Sequence, residues 1–319
     1  MTNAILLVAA GLVLLAIGGE LLVRGSVGMA TRLGISPLLA GLTIVGFGTS
    51  TPELATSIQA AMAGSPGIAV GNVIGSNIAN ILFILGVSAL ILPLSVNPAS
   101  FKRDSIALGG SALLCTGAVL TGVIGPVIGI ILIACLVGYL YWAYKTESAA
   151  PCPEGARHEA EAAEHPVPAT TAPILLIGMI IAGLAAAIFG AGWLVDGAVV
   201  LASAAGLSEA VIGLTVVAVG TSLPELIACV IAVLRKHEDV ALGNVVGSNI
   251  YNILGILGIT AMVKPITIPE EIARFDVWVM LAVTALLLVQ LRSGWRLSRA
   301  EGGLLVLIYA AYTAFLVMR

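Results

Sequence analysis

Adding 172 to a residue number in the first half of this chain lands on a matching residue in the second half, without a gap. GLTIVGFGTSTPEL at Gly41 to Leu54 returns as GLTVVAVGTSLPEL at Gly213 to Leu226. GNVIGSNIANILFILG at Gly71 to Gly86 returns as GNVVGSNIYNILGILG at Gly243 to Gly258. Across positions 41 to 90 about half of the pairs are identical, and Gly25/Gly197, Gly34/Gly206 and Asp104/Asp276 keep the offset outside that window. Shared apolar composition cannot set Asn, Ser, Thr, Pro and Glu in register, so the chain is two copies of one unit.

The unit is made for lipid. Of 319 residues 59% are hydrophobic and 10% charged, far outside the range of soluble domains. Apolar runs of the length that crosses about 30 Å of hydrocarbon fall near 4–23, 37–62, 68–92, 104–121, 126–144, 173–200, 211–234, 240–262, 276–291 and 302–318. The runs are continuous rather than alternating, which predicts helices, not a barrel. The first run has no basic flank or cleavage site, so it reads as a span and not a signal peptide. Residues 145–172, rich in Ala, Pro and Glu, read as a flexible linker between a first unit at 1–144 and a second at 173–319. His158, His165 and His237 read as solvated side chains, and the four cysteines show no disulfide or metal spacing. Fourteen Lys and Arg against 17 Asp and Glu exclude a basic nucleic-acid surface.

The expected fold is therefore an all-α polytopic membrane protein of ten transmembrane helices. Five spans per copy is an odd number, so the second copy enters the bilayer from the opposite side: two inverted five-helix repeats, with the working site near the midplane. Cytoplasmic loops collect basic residues. Placing both termini outside puts Arg24, Arg32, Lys102, Arg103, Lys145, Arg157, Arg235, Lys236, Arg292, Arg296 and Arg299 inside, and only Lys264, Arg274 and Arg319 outside.

Glu53 and Glu225 lie within expected spans, where an uncompensated charge costs at least ~2.5 kcal/mol. The motif segments hold no Lys or Arg. Either each carboxyl is protonated at rest or a mobile cation is its partner. Thr49 and Ser50 precede Glu53 by four and three residues, which sets two hydroxyls beside the carboxyl on one helix face, and Thr221 and Ser222 do the same for Glu225. Pro52 and Pro224 predict kinks that free the carbonyls of Gly48 and Gly220. A stripe of Asn72, Ser76 and Asn80 is echoed by Asn244, Ser248 and Asn252. Oxygen ligands without sulfur or imidazole suit a hard cation, Ca2+ or Na+, rather than Zn2+ or Cu+. Asn72, Asn77, Asn244 and Asn249 are expected to tie helices together.

GxGTSxPEL followed by GNVxGSNIxNI, present twice, resembles the alpha repeats of the calcium/cation antiporter superfamily, and prokaryotic Na+/Ca2+ exchangers in particular. The resemblance covers nearly the whole chain outside the linker. It implies ten helices and a central cation cluster, with Ca2+ exchanged for Na+ as the first and sixth spans slide over the rest. Carried over, it implies ion ligands at Thr49, Ser50, Glu53, Ser76, Asn80, Thr221, Ser222, Glu225, Ser248 and Asn252, with carbonyls from Gly46, Ala218, Thr49 and Thr221. Many relatives have Asp where this chain has Asn252. The linker is too short for the folded Ca2+-sensing domains of animal exchangers.

Three rivals are weighed. An H+/Ca2+ antiporter of the same superfamily resembles this architecture but usually carries GNxxE where this chain has GTSxPE. A cation channel commonly needs symmetric subunits, which a two-fold repeat within one chain makes unnecessary. An enzyme needs a nucleophile with a neighbouring base, which neither repeat offers. Expected partners are Ca2+, Na+ and the bilayer of a prokaryotic inner membrane. No cofactor and no obligatory protein partner is expected.

Overall fold

The computed structural model describes residues 2–96, 98–149, 171–204, 220 and 222–318. Ala218 and Thr221, the start of the second motif and most of the expected linker lie outside these residues. We number the described helices α1 Thr2–Leu33, α2 Leu38–Thr49, α3 Thr51–Met62, α4 Pro66–Ile91, α5 Pro98–Leu120, α6 Pro126–Ala149, α7 Pro173–Ala204, α8 Leu223–Leu234, α9 Glu238–Val263, α10 Ile272–Gly294 and α11 Arg299–Met318. Proline opens many of them, because its missing N–H is one that a first turn leaves unpaired anyway: Pro66, Pro98, Pro126 and Pro173 are first residues, and Pro52 and Pro224 follow the first residue.

Seven of these helices are long and apolar enough to cross a membrane. Lipid-facing side chains on α1 include Leu6, Val13 and Ile17, all more than half exposed. The most apolar stretches of α4 and α9 are 67% and 83% buried, against 28% or less in the other five. A helix that is apolar all round and also buried belongs at the centre. The two GNVxGSN helices are thus the core, and the rest sheathe them.

Four two-residue strands tie the helix connections in antiparallel pairs. β1 (Leu94–Ser95) pairs with β4 (Arg296–Leu297), and β2 (Val123–Ile124) pairs with β3 (Ile266–Thr267). Each pair joins one half of the sequence to the other.

α1 and α7 run antiparallel with backbones in contact. A Cβ on Gly11, Gly18 or Gly25 would sit 2.7–3.2 Å from backbone atoms of Gly190, Leu194, Gly183, Ala187, Leu176 and Ile180. Gly183, Gly190 and Gly197 meet α1 in the same way. The six glycines fall seven residues apart on each helix and obey the 172 offset. Two neighbouring glycines take no part in this contact: Gly19 faces Ile227 and Ile231 of α8, and Gly192 meets nothing within 4 Å.

Two local expectations change. Pro52 and Pro224 do not merely kink a helix: the helix stops at Ser50 (φ −82°, ψ 10°), and Ser222 has the same conformation (φ −93°, ψ 10°) before α8 begins. The Gly48 carbonyl is not left free, because a backbone N–H at the end of α2 reaches it. Arg103 is also no loop charge. It is 3% exposed and forms a two-pronged pair with Asp104, Nε to Oδ1 at 2.7 Å and Nη2 to Oδ2 at 3.1 Å.

Candidate ion-binding site

The breaks at Ser50 and Ser222 place Glu53 and Glu225 in the first turns of α3 and α8, in the interior. Both glutamates are 1% exposed. The sequence halves cross over here. The Ser50 hydroxyl donates to Glu225 Oε1 at 3.0 Å, while the Ser222 hydroxyl lies within hydrogen-bonding reach of the Glu53 carboxyl. No described Lys, Arg or His pairs with either, and Oε2 of each has no hydrogen-bond partner among the described residues. A buried, bare carboxylate pair is untenable in low dielectric unless a proton or a cation joins it.

The asparagines divide into two roles. Asn72 donates to the Glu53 carbonyl at 3.0 Å and to Ser57 Oγ at 2.9 Å. Asn244, its counterpart, donates to the Glu225 carbonyl at 3.3 Å and to Cys229 Sγ at 3.0 Å, with Cys229 standing where the other half has Ser57. Asn249 accepts from Asn80 Nδ2 at 3.0 Å and donates to the Asn77 carbonyl at 3.4 Å. The expected helix-tying role thus holds for Asn72, Asn244 and Asn249. Asn77 differs, bonding Val73 of its own helix at 2.7 Å.

Asn80 and Asn252 are different. Each begins a π-helical turn, Asn80–Leu85 in α4 and Asn252–Leu257 in α9, a widening common at functional sites. Asn80 Oδ1 and both polar atoms of Asn252 are buried and unpartnered among the described residues. Of the other expected ligands, Ser76 and Ser248 are buried on the same two helices, and Ser248 Oγ donates to the Gly46 carbonyl at 3.2 Å. Thr49 Oγ1 donates to the Val45 carbonyl at 3.0 Å. No three His, Cys, Asp or Glu side chains gather among the described residues, so an ion held here takes most of its ligands from neutral oxygens.

This double arrangement is matched by known proteins. The sodium/calcium exchanger protein family matches residues 3–145 and 175–318. The chain belongs to that family. It is 39% identical to a putative antiporter, CaxA, of Alkalimonas amylolytica over 98% of both chains. It is 32% identical to the sodium/calcium exchanger MaX1 of Methanosarcina acetivorans over 98% of this chain and 97% of the relative. Among solved structures, the sodium-calcium exchanger NCX_Mj matches with a TM-score of 0.82 at 31% identity, over 98% of both chains. The antiporter is thus an integral membrane transporter of cations.

Two features of the antiporter escape a reading by motif. Gly11 and Gly183 belong to the α1–α7 contact, and the seven-residue spacing combined with the offset is the signal that finds them. Glu20 lies within the first span and binds Arg235, 215 residues away, through Nε to Oε2 at 3.0 Å and Nη2 to Oε1 at 2.6 Å. Its place in an apolar run is the only sequence sign of it.

Proposed function

We propose that the protein exchanges Ca2+ for Na+ by alternating access, with ten spans in two inverted five-helix repeats. The observation that carries this reading is the set of buried oxygens without partners among the described residues: Glu53 Oε2, Glu225 Oε2, Asn80 Oδ1 and Asn252 Oδ1. Two carboxylates balance one divalent ion or two monovalent ones, so either cargo neutralises the site and both compete for it. Thr49, Ser50, Ser76, Ser222 and Ser248 supply neutral oxygens in the 6 to 8 coordination typical of Ca2+, with Thr221 and Ala218 as the expected counterparts. The Gly46 carbonyl joins them when the ion displaces the Ser248 hydroxyl.

The crosswise strand pairs support the inverted arrangement, since each brings connections of the two halves to one end of the bundle. Basic residues favour both termini outside a prokaryotic inner membrane. The units are 1–144 and 173–319, joined by a cytoplasmic linker.

Ca2+ flux into proteoliposomes, with Na+, K+ and pH gradients imposed singly, tests the coupling. Flux driven by Na+ alone supports the proposal. Flux driven only by pH makes the protein an H+/Ca2+ antiporter instead, and single-channel currents make it a channel.

A further inference from the structure

Among the described residues, the Glu20 carboxylate makes the one ion pair between the glycine-lined α1–α7 pair and the helices that carry the site. Its partner Arg235 caps the C-terminal end of α8, the helix on which Glu225 sits, and leads through a three-residue turn into α9. Gly19, one residue before Glu20, lies against Ile227 and Ile231 of the same helix. Arg24 also pairs with Glu20, but from within α1.

The tie has no counterpart at the other end. Under the 172 offset Glu20, Arg24 and Arg235 correspond to Gly192, Asp196 and Ala63. Everything that lines the site is duplicated, whereas this contact is single. Two related conformations of a repeat protein are equal in energy only as far as their contacts are equivalent, and an unmatched ion pair tilts the balance between them.

We propose that Glu20 and Arg235 form a one-sided latch that holds closed the end of the ion pathway bearing residue 235, and so sets which face of the membrane the site favours. Both are positioning residues and touch no ion. The inference rests on the alternating-access reading above. A slide of the α1–α7 pair past α8 by one helical turn, about 5.4 Å, is more than a contact of 2.6 Å between heavy atoms survives. Arg24 travels with Glu20, so the opened state keeps a partner for the carboxylate. That makes the latch reversible, because release strands no buried charge.

The test uses the full chain with its four native cysteines replaced and Ser26→Cys introduced as a reporter. Ser26 is fully buried in α1 and its hydroxyl has no partner among the described residues. A membrane-impermeant thiol reagent is applied in turn to each face of oriented vesicles. Glu20→Gln and Arg235→Gln should each raise labelling from the face bearing residue 235 by about two- to five-fold, the scale of a partly exposed ion pair. Arg24→Gln should not raise labelling from that face, since it leaves the link between helices intact and removes the partner that Glu20 keeps in the opened state. The swap Glu20→Arg with Arg235→Glu should return labelling towards the parent.

The half-saturating Ca2+ concentration is measured from each face of the same variants. The latch lowers the population open to one face, so its loss should lower that concentration on this face and raise it, by a smaller factor, on the other. A merely structural role would move both in the same direction. Unchanged labelling in both Glu20→Gln and Arg235→Gln overturns the latch, whatever the transport activity. Raised labelling in a protein whose parent moves no Ca2+ under any gradient keeps the latch and removes the antiport reading.

Discussion

The α1–α7 contact and the α4–α9 contact both pack helices within the membrane, yet they are built from opposite materials. The first is a seam of six glycines in which backbone meets backbone and few side chains intervene. The second is stitched by amides, Asn80 to Asn249 and Asn249 to Asn77, with Ser76 and Ser248 buried alongside. Displacing amide-paired helices leaves donors and acceptors bare in a low-dielectric interior, at about 1–3 kcal/mol for each group. Displacing a glycine seam breaks no directional bond. On the proposed mechanism, the difference separates a moving pair packed without directional bonds from a part that must hold its geometry around an ion.

The most damaging change to the holding part is loss of a carboxylate. Glu53→Gln or Glu225→Gln leaves a divalent ion half neutralised, and the cost of about 3–5 kcal/mol corresponds to loss of more than 99% of Ca2+ transport. Flux in proteoliposomes checks this, with gel filtration to confirm that the protein is folded. Next comes the sliding part. Gly18→Leu or Gly190→Leu drives a side chain into the facing backbone, and should cost about 1–3 kcal/mol of thermal stability together with at least ten-fold in exchange rate. Gly192→Leu, with open space around it, should change neither. Equal damage at position 192 would erase the distinction between the two contacts.

Smaller effects sharpen the comparison within the core. Asn244→Ala should lower melting stability in detergent by about 1–3 kcal/mol, and Asn72→Ala by less, because Asn244 is fully buried whereas Asn72 is only partly so. Asn252→Asp adds a third carboxylate to the oxygens around the ion. It should lower the half-activating Na+ concentration roughly two- to five-fold, because any monovalent ion beyond the two that Glu53 and Glu225 balance then meets a charge and not only a dipole. Proteoliposomes titrated with Na+ measure it, and a raised value would show that Asn252 only positions its neighbours. Cys229→Ser restores the residue that the first half carries at position 57, where the hydroxyl makes the equivalent two hydrogen bonds, so its stability change should stay within about 1 kcal/mol.

Much of this was legible in the sequence because duplication prints every structural requirement twice. The pairs Glu53/Glu225, Asn80/Asn252 and Ser50/Ser222 are visible as letters before any coordinate is known. What hydropathy does not register is backbone form. The π-turns at Asn80 and Asn252 are as apolar as the α-helix around them, and Pro52 signals a bend without saying that the helix ends at Ser50. Contacts confined to one copy are the hardest to read. Glu20 and Arg235 are 215 residues apart with no counterpart to point to them, and Arg103 looks like a loop cation until Asp104 and the Ala143 carbonyl close around it.

The crossed strand pairs bear on ancestry. β1 of the first half corresponds to β3 of the second under the offset, and β2 lies one residue short of β4. Because β1 bonds β4 and β2 bonds β3, each half extends to its twin the two strands that the twin extends in return. A polypeptide of half this length already owns both members of the clasp and, in the inverted arrangement proposed above, can close it around a second copy inserted in the opposite orientation. The fused chain is what such a homodimer becomes when a gene doubles, and cutting it between the halves should still yield two pieces that find each other when made together.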